Sequence, residues 1–493
     1  MPNMTMWYAI SSAKGLTNMK TIKRETMRIK TIIQLILLLA YFNSVQSQDA
    51  INAETQDEIE NLAEAFLEKT KAPGLSIAVR KNGNTIYAKG FGQANKDANI
   101  PMDTRTKLRT ASVAKVITAT ALGVLASEGK LDFDAPIKDY VPYIPDAFSH
   151  LTTRQLAGHT AGLAHRPKGE QFKKKQYDDI RETVLLMKAP PLFEADTDYK
   201  YSTHAYNLLG AVIEGASGKS YADYMTNFIF KPLHMTHTGP ENIDALTQED
   251  AELYSIAKGK VRKAKRTNGS YKVPGAGFRS TPSDLVKMMD AYTNGMISEN
   301  VVTEMFKSHQ LNGGKKTFVG IGWRSAIDPF GNPVIEHAGS WHGARTVIVH
   351  YPEEDLNISL MINADCPVLI EETAHLFAQV IRNKKQTVKD MVLTNQKIML
   401  TLETNEKREV HEGTLTMNTK TGRLKTKKKG FLSDSPILYL GSTNDYAIAT
   451  SYGLLYAHLK NDTTLEGRIF NYFNRSDKNP KSETPLATIQ TKG

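Results

Sequence analysis

The N-terminal part of the chain shows helical periodicity first and strand periodicity after it. Between residues 51 and 71, apolar side chains recur at helical spacing with acids and lysines on the other face, which predicts an amphipathic surface helix. Pro73-Gly74 ends this helix. Alternating segments at 75–79 and 85–91, on either side of Asn82-Gly83, then predict a β-hairpin.

The segment that ends near residue 382 shows the same two patterns in reverse order. Residues 346–350 and 358–362 predict two strands joined by a polar turn, and residues 371–382 predict a helix. A sheet flanked by helices from both ends, with a mostly helical middle, is the simplest fold that fits this order. The predicted class is therefore α/β (α+β), with an antiparallel sheet, flanking helices and a helical subdomain.

A polar and basic stretch at 382–390 is followed by a different pattern. Short alternating runs recur about every ten residues between turns, which predicts a small antiparallel, all-β domain over residues 386–493. The runs lie at 398–403, 413–417, 437–440, 446–450, 454–459 and 467–473. The domain before it is predicted to span residues 48–385.

Residues 1–47 read as a leader that contains a secretory signal peptide, with its core at 27–47. A basic start near Met27 is followed by a mostly apolar run from Thr31 to Phe42, and cleavage is expected after Ser47. The run is short of the ~20 residues that cross a bilayer, and no other segment approaches that length. Met19 and Met27 are both candidate initiators, so a mistaken upstream start is an alternative for residues 1–26. The leader predicts an exported protein without a stable membrane span, periplasmic in a double-membrane bacterium and secreted elsewhere.

Charge is distributed unevenly over the 493 residues. The chain has 62 Lys and Arg against 52 Asp and Glu, which gives a net charge of +10. Residues 1–47 contain six basic residues and one acid, and residues 384–493 contain 18 basic residues and 11 acids, so the central part is nearly neutral. A nucleic-acid-binding protein is expected to concentrate basic residues on its working domain. Because no zinc-finger or aromatic-basic pattern is present either, nucleic acid is not expected as a partner.

The single cysteine, Cys366, excludes an intramolecular disulfide framework and a cysteine-based zinc cluster. It lies in the apolar run 360–366, which predicts a buried structural thiol. His159 and His165 lie close together in sequence, but no acid-histidine set at ligand spacing accompanies them. The sequence therefore implies no metal and no cofactor.

The sharpest signal for chemistry is Ser112, followed three residues later by Lys115 at the start of the apolar helical run 116–125. Two side chains one turn apart project from the same face of a helix. The positive end of a helix favours a serine alkoxide, and a neighbouring lysine can take the proton if burial lowers the ammonium pKa. Taken alone, the pair also fits a serine N-cap with a surface lysine.

Two further segments strengthen the chemical interpretation. Tyr201 stands just before the apolar helical segment 205–215, where a tyrosine can present its hydroxyl to a pocket. Residues 336–340, Glu-His-Ala-Gly-Ser, stand just before the strand at 346–350, and their glycine lets a backbone approach closely. Three polar motifs in this order, each beside an apolar helix or a strand, are much less expected by chance than one.

With these motifs the sequence resembles the serine β-lactamase and penicillin-recognising hydrolase family, in the class C-like branch that includes D-Ala-D-Ala carboxypeptidases and esterases. The resemblance covers about residues 57–382. It also rests on the segments Pro73–Val79 and Leu156–Leu163 and on the step from Tyr201-Ser202-Thr203 to Leu208-Leu209-Gly210. It implies a class C β-lactamase-like fold for residues 48–385, with the C-terminal β domain as an addition.

The resemblance implies acyl transfer through a covalent acyl-enzyme. Ser112 would be the acylated nucleophile and Lys115 its proton acceptor. Tyr201 would be a second base and acid that serves the leaving group and the deacylating water. The backbone N–H groups of Ser112 and Ser340 would hold the oxyanion.

The resemblance also places His337, Gly339 and Thr203 at the substrate and oxyanion site, and two of these depart from dedicated β-lactamases. Thr203 stands where those enzymes have Asn, and this threonine is similar to the β-lactamase-like serine proteases of animal mitochondria. His337 stands where they have Lys, and a neutral imidazole offers a substrate carboxylate less fixed positive charge. Both departures favour a peptidase or esterase. The alternatives are a true β-lactamase and a catalytically inactive binding protein, although the latter would be expected to have lost Ser112, Lys115 or Tyr201.

Expectations also follow for His159, Arg345 and the C-terminal domain. His159 is expected to pack or hydrogen-bond within the family's fold, with a place in the pocket as the alternative. Arg345 is a candidate partner for a substrate carboxylate, or else part of a structural salt bridge. The C-terminal domain is expected to cap the active site and narrow substrate size. The substrate is a small molecule or peptide, whether a peptide, an ester or a β-lactam, and the oligomeric state is left open.

Overall fold

The computed structural model describes residues 51–382, apart from 168, 171, 172 and 174, and beyond them mainly strand segments between 396 and 491. Within these residues no helix is long and apolar enough to cross a membrane. The predicted signal peptide at 27–47 and the candidate initiators Met19 and Met27 lie outside the described residues.

Strands from both ends of residues 51–382 form one antiparallel sheet. The strands are β1 (Gly74–Lys81), β2 (Asn84–Asn95), β3 (Ile100–Pro101), β9 (Arg324–Ile327), β10 (Pro333–Trp341), β11 (Ala344–Tyr351) and β12 (Leu356–Ile362). Their order in the sheet is β3-β2-β1-β12-β11-β10-β9. The first hairpin therefore pairs directly with the last strand of this part of the chain, as the sequence predicts.

Shorter strands form two small sheets beside the main one. They are β4 (Leu108–Arg109), β5 (Gly239–Pro240), β6 (Tyr254–Ala257), β7 (Lys260–Lys263) and β8 (Phe278–Ser280). β8 lies between β4 and β5, and β6 pairs with β7. The β4 and β8 pair holds the chain that leads into Ser112.

Helices cover the sheet and fill the middle of the sequence, as predicted. The α-helices are α1 (Ala53–Thr70), α2 (Ala114–Ser127), α3 (Asp146–Ser149), α4 (Thr153–Ala157), α5 (Ile180–Val184), α6 (Ala205–Ser217), α7 (Tyr221–Tyr224), α8 (Val273–Ala276), α9 (Pro282–Met288), α10 (Asp290–Thr293), α11 (Glu299–Phe306) and α12 (Ile370–Arg382). A π-helical turn, Met225–Phe230, follows α7 directly. Single 3-10 turns lie at Ala111–Val113, Ile137–Asp139, Ser270–Lys272 and Pro352–Glu354.

α1 has the physical features that the sequence predicts. The Asn52 side chain accepts a hydrogen bond from the Thr55 N–H at 2.8 Å, which caps the first turn. Its apolar stripe, with Ile59 and Phe66, is fully buried. The helix ends at Lys71, which has a left-handed φ of 63°. The burial of this stripe, more than intrinsic helix propensity, stabilises α1.

α2 is the core helix. Every residue from Ala114 to Leu125 is buried, including Lys115. A helix that is apolar on all sides belongs in the interior of a domain. The position of Lys115 on this helix therefore removes its side chain from water.

The described strands between residues 396 and 491 form the predicted C-terminal β domain and close into an antiparallel barrel. The strands are β13 (Gln396–Glu403), β14 (Arg408–Asn418), β15 (Thr421–Thr426), β16 (Ser435–Leu440), β17 (Asp445–Thr450), β18 (Gly453–Asn461), β19 (Thr464–Arg468) and β20 (Leu486–Thr491). β13 pairs with both β14 and β20. Closure in this way leaves the described barrel without an open sheet edge.

The barrel packs on α1 and α12, through β16, β17 and β18. Arg423 of β15 forms an ion pair with Glu68 of α1 at 2.7 Å, and Gly453 of β18 lies against Thr373 of α12. α12 covers the face of the main sheet that is opposite Ser112, where its His375 contacts Glu336 of β10. The expectation that this domain caps the active site is therefore wrong for the described strands.

Candidate active site

Ser112 lies in a tight turn between β4 and α2. The turn Ala111–Val113 is a 3-10 helix, and α2 begins only at Ala114. Ala111, the residue before the serine, has a positive φ of 46°, a conformation that residues with a Cβ rarely adopt. Ala111 and Val113 are fully buried while Ser112 is partly exposed, so the core holds the strained turn and presents the serine.

Lys115 is fully buried, and its Nζ donates hydrogen bonds to Thr203 Oγ1 at 3.2 Å and to the Gly275 carbonyl at 2.8 Å. Burial, with the positive charge of Arg324 as a second cause, lowers the pKa of Lys115 well below its usual range. A neutral amine has two N–H donors and one lone pair. Because both contacts accept hydrogen bonds, the lone pair of Lys115 is left to accept a proton.

Tyr201 connects the other two side chains. The Ser112 side chain lies close enough to the Tyr201 hydroxyl to act on its pKa, and the Lys115 Nζ lies 4.8 Å from the centre of the Tyr201 ring. Burial raises the pKa of Tyr201, against the opposing effects of Arg324 and Ser112. The phenol is therefore protonated at neutral pH. The structure brings Ser112, Lys115 and Tyr201 together, as the sequence predicts.

β10 passes so close to the Ser112 turn that only glycine fits at position 339. A Cβ at Gly339 would lie 2.4 Å from the Thr110 carbonyl oxygen and 2.9 Å from the Ser112 nitrogen. Ser340, the next residue, is exposed. The close approach places the backbones of Ser112 and Ser340 side by side, the arrangement needed for an oxyanion hole built from their N–H groups.

His337 lies two residues before Gly339, on the same face of β10. Its side chain is buried, and Nδ1 donates to the Ala338 carbonyl at 2.8 Å, which leaves Nε2 as an acceptor. Burial, followed by the charges of Arg324 and Lys115, lowers the pKa of His337 well below its usual range. The site therefore contains a neutral imidazole at this position.

His159 supports Tyr201 from behind. It has a φ of 64°, and its Nδ1 accepts the Ser202 N–H at 3.2 Å. Its ring lies 4.4 Å from that of Tyr201, centre to centre. Burial, with Lys115 as a second cause, lowers the pKa of His159 well below its usual range. His159 therefore packs and hydrogen-bonds, and it also positions Tyr201.

Thr203 has a different environment from the one expected. It is buried, its Oγ1 accepts from Lys115, and a Cβ on Gly275 would lie 2.7 Å from its Cγ2. The hydroxyl is thus occupied with Lys115 instead of facing the oxyanion site. Thr203 acts on the substrate through the orientation of the lysine.

Arg345 lies on the other face of the sheet. It pairs across the β10–β11 ladder with Ser340, and paired residues share a face of the sheet. Ser340 follows Gly339 and therefore faces away from the Ser112 turn. The Arg345 Nη1 donates to the Ala344 carbonyl at 2.9 Å. Thr346, the next residue, pairs with Gly339 and donates to the Arg109 carbonyl on the Ser112 side. The prediction that Arg345 binds a substrate carboxylate is therefore wrong.

Arg324 is a charged neighbour of the site that the sequence does not reveal, and it pairs with Glu336 on the α12 face of the sheet. Its positive charge acts on Lys115, Tyr201 and His337, and its Nη1 lies 3.8 Å from Glu371 Oε1. It therefore links the site to the α12 side of the sheet. No motif marks this residue, because its place depends on the pairing of β9 with β10.

The α12 face contains a buried network of ionisable groups. Glu336, the neighbour of His337, accepts a hydrogen bond from His375 Nε2 at 2.8 Å. Burial opposes the charge on His375, but the attraction of Glu336 and the hydrogen bond to it outweigh burial and raise the pKa of His375 to about 10. Burial, with Glu336 as a second cause, raises the pKa of Glu371 to about 7. The two faces of β10 thus have different electrostatic characters.

The model of the family described as "Beta-lactamase" matches residues 59–379. "Protein flp" of Staphylococcus aureus is 24% identical over 352 residues, which cover 70% of each chain. "Serine beta-lactamase-like protein LACTB, mitochondrial" of Bos taurus is 27% identical over 319 residues, or 49% of this chain and 57% of the relative. Both are relatives in sequence.

Two solved structures show the same fold. An octameric penicillin-binding protein homologue from Pyrococcus abyssi is 20% identical, covers 87% of this chain and 99% of its own, and has a TM-score of 0.57. A class C beta-lactamase is 21% identical, covers 68% of this chain and 98% of its own, and has a TM-score of 0.56. The first likeness extends beyond residues 59–379. Because the family model matches well over half of the sequence, the chain belongs to the Beta-lactamase family, whose members are serine hydrolases.

Proposed function

We propose that this protein is an exported serine hydrolase that cleaves a peptide, amide or ester bond through an acyl-Ser112 intermediate. One observation carries the proposal: the Ser112 side chain lies beside the hydroxyl of Tyr201, whose ring packs against Lys115, a buried lysine whose pKa is lowered by burial. A nucleophile joined to a base by a positioned side chain is the arrangement that covalent catalysis requires.

Acylation begins when Ser112 Oγ attacks the substrate carbonyl carbon. The serine proton passes to the Lys115 lone pair, directly or through the Tyr201 hydroxyl, while the N–H groups of Ser112 and Ser340 bind the oxyanion. Tyr201 then donates a proton to the leaving group as the bond to it breaks. Water attacks the acyl-enzyme by the reverse route and restores the Ser112 hydroxyl.

Peptidase or esterase activity is favoured over β-lactamase activity by two residues. His337 offers a neutral imidazole where a lysine would offer a fixed charge. Thr203 offers no carboxamide to a substrate amide, and its hydroxyl is occupied by Lys115. A β-lactamase remains the second candidate because Ser112, Lys115 and Tyr201 serve both chemistries.

The first test is to treat the protein with a fluorophosphonate probe and to map the adduct by peptide mass spectrometry. We expect a single adduct on Ser112 and none in Ser112→Ala, because the probe reacts only with an activated serine. A folded protein that gives no adduct on Ser112 would contradict the hydrolase and favour the inactive binding protein. Esters, D-amino acid peptides and penicillins then separate the substrate classes, and fast deacylation of penicillins would favour the β-lactamase.

Export is part of the proposal and rests on the leader sequence alone. We expect N-terminal sequencing of the mature protein, recovered from the periplasm or medium of its host, to begin at Gln48. Recovery of the full-length chain from the cytosol would contradict export and leave the chemistry of Ser112 unaffected.

A further inference from the structure

Lys272 is a second nearly buried lysine beside the active site. It ends the 3-10 turn before α8, the helix that contains Gly275, whose carbonyl accepts from Lys115. Its side chain is only slightly exposed, at 6% for the whole residue, and its Nζ lies 3.4 Å from the centre of the Trp341 ring. Such contact of an ammonium with an indole face is a cation–π interaction.

The described residues do not balance the charge of Lys272. Trp341 also packs against the Arg109 guanidinium, at 4.0 Å from the ring centre to Cζ. Arg109, however, is paired with Glu241, and Glu241 also pairs with Arg279. In the part of the chain that the structure describes, no carboxylate lies within 4.0 Å of the Lys272 ammonium and no hydrogen bond to its Nζ is present.

The remaining charges around Lys272 are mostly positive. Burial, followed by the charges of Lys115, Arg109 and Arg166, lowers the pKa of Lys272 well below its usual range, and only Glu241 acts in the opposite direction. Arg166 is exposed. An anion that entered this environment would therefore be attracted by several cations and would offset the cost of burying the ammonium.

Trp341 fixes the position of Lys272 relative to the reacting atoms. His337, Gly339 and Trp341 alternate along β10 and face the Ser112 side, so His337 and Trp341 are ~13 Å apart at the strand rise of ~3.3 Å per residue. Gly339, which touches the Ser112 turn, lies midway between them. Along β10, the Ser112 turn therefore has His337 on one side and Trp341 on the other.

The two ends serve different halves of a substrate. Tyr201, which protonates the leaving group, packs on His159, and His159 contributes to the lowered pKa of His337, whereas the positive charges that act on Lys272 are those of Lys115, Arg109 and Arg166. The leaving group therefore lies toward His337. The acyl half extends the other way along β10, toward Trp341 and Lys272.

We propose that Lys272 is a specificity-determining residue that binds a carboxylate on the acyl half of the substrate. This inference rests on the proposed function, since it assumes that Ser112 is acylated. It assigns the substrate class as esters or amides of acids that have a second carboxylate. A carboxylate bound there would favour the protonated form of Lys272, because the opposite charge offsets the cost of burying the ammonium.

The test uses two isosteric pairs of esters with the mature protein. In the first pair, 4-methylumbelliferyl esters of adipic and adipamic acid, the charge is on the acyl half. In the second, acetyl esters of 3-hydroxybenzoic acid and 3-hydroxybenzamide, the charge is on the leaving group. The measured quantity is the ratio of kcat/KM for the anionic ester to kcat/KM for the neutral ester in each pair.

We expect a ratio above 1 for the adipic pair, and we expect Lys272→Met to lower it by ~10-fold or more, because a charged hydrogen-bond partner is lost. Lys272→Gln should give the same result, which guards against a packing defect in the Met variant. Lys219→Met is the matched control, since Lys219 packs on Phe228 at 5.4 Å and is exposed. It should leave the ratio unchanged.

Four outcomes would overturn the assignment. An adipic ratio that is unchanged in both Lys272 variants would leave Lys272 as a packing partner of Trp341 only. A loss confined to the second pair would place the anion on the leaving group. If no ester is hydrolysed and no probe adduct forms on Ser112, the proposed function fails as well, whereas hydrolysis of all four esters without charge preference overturns only the role of Lys272.

Discussion

His337 and Glu336 are neighbours on β10, and they lie in opposite electrostatic environments. On the Ser112 side, buried Lys115 and Lys272 have no carboxylate partner among the described residues, and burial lowers the pKa of both. On the α12 side, Glu336, with Glu372 as a second carboxylate, meets buried His375 and keeps it charged. Burial alone therefore does not decide the charge of a group, because the presence or absence of nearby carboxylates reverses the result.

The difference corresponds to different tasks. A lysine with a lowered pKa can act as a base, so the Ser112 side gains reactivity because no carboxylate is paired with Lys115 among the described residues. The α12 side has paired charges, so its contribution is to stability, and removal of one partner leaves an uncompensated buried charge. Substitutions on the two faces should accordingly separate loss of activity from loss of stability.

The largest effect is expected for Lys115→Met. We expect kcat/KM to fall by ~10³, within the range for loss of general acid–base catalysis, because the serine then loses its proton acceptor. The free energy of unfolding should change by less than ~1 kcal/mol, since relief from burying the amine offsets two lost hydrogen bonds. Ester kinetics and urea unfolding measure the two quantities. Retained activity would remove Lys115 from the mechanism.

Glu336→Gln should have the reverse profile. Loss of the buried carboxylate beside His375 should lower the free energy of unfolding by ~3–5 kcal/mol, while Ser112 remains reactive toward the fluorophosphonate probe in the folded fraction. Glu354→Gln is the matched control, because Glu354 pairs with Arg382 at a half-exposed site and should cost less than ~1 kcal/mol. Equal losses in the two variants would contradict the importance of burial.

The difference in unfolding free energy between the parent and Glu336→Gln should also depend on pH, which is a smaller but more specific effect. The pKa of His375 is about 10 in the folded protein against 6.5 for an ordinary histidine. Its stabilising contribution is therefore complete below pH ~6.5 and is lost as the pH rises toward ~10. The stability gap between parent and Glu336→Gln should narrow over this window in urea unfolding at pH 6.5, 8 and 9.5. A constant gap would mean that His375 is not the charged partner.

Local patterns allowed much of the fold to be predicted. The helix at 53–70, the first hairpin, the strands β11 and β12 and most of the barrel strands follow from periodicity and turn residues. β15 was not predicted because its sequence, Thr-Gly-Arg-Leu-Lys-Thr, contains one buried apolar residue, Leu424. β20 was not predicted either, although its sequence alternates. Its partner β13 lies at the other end of the barrel sequence, and a pairing over that distance leaves no local signal.

The site was predictable where a motif keeps its residues close in sequence. Ser112 and Lys115 are one turn apart, and Tyr201 and Gly339 stand in recognisable segments. The faces of strands and the long-range pairings were not predictable. Arg345 was assigned to the wrong face for this reason. Lys272 was missed because only the folded chain brings it to Trp341, and Arg324 was missed because its effect on the site depends on the pairing of β9 with β10.

The position of the barrel has a consequence for the order of folding. α1 and α12 are separated by about 300 residues of sequence, and the central sheet must form before they lie side by side. β18 contacts both helices, so its full docking surface requires the sheet that brings α1 and α12 together. We therefore expect the barrel to dock after the hydrolase domain has folded, on the side of the molecule away from Ser112.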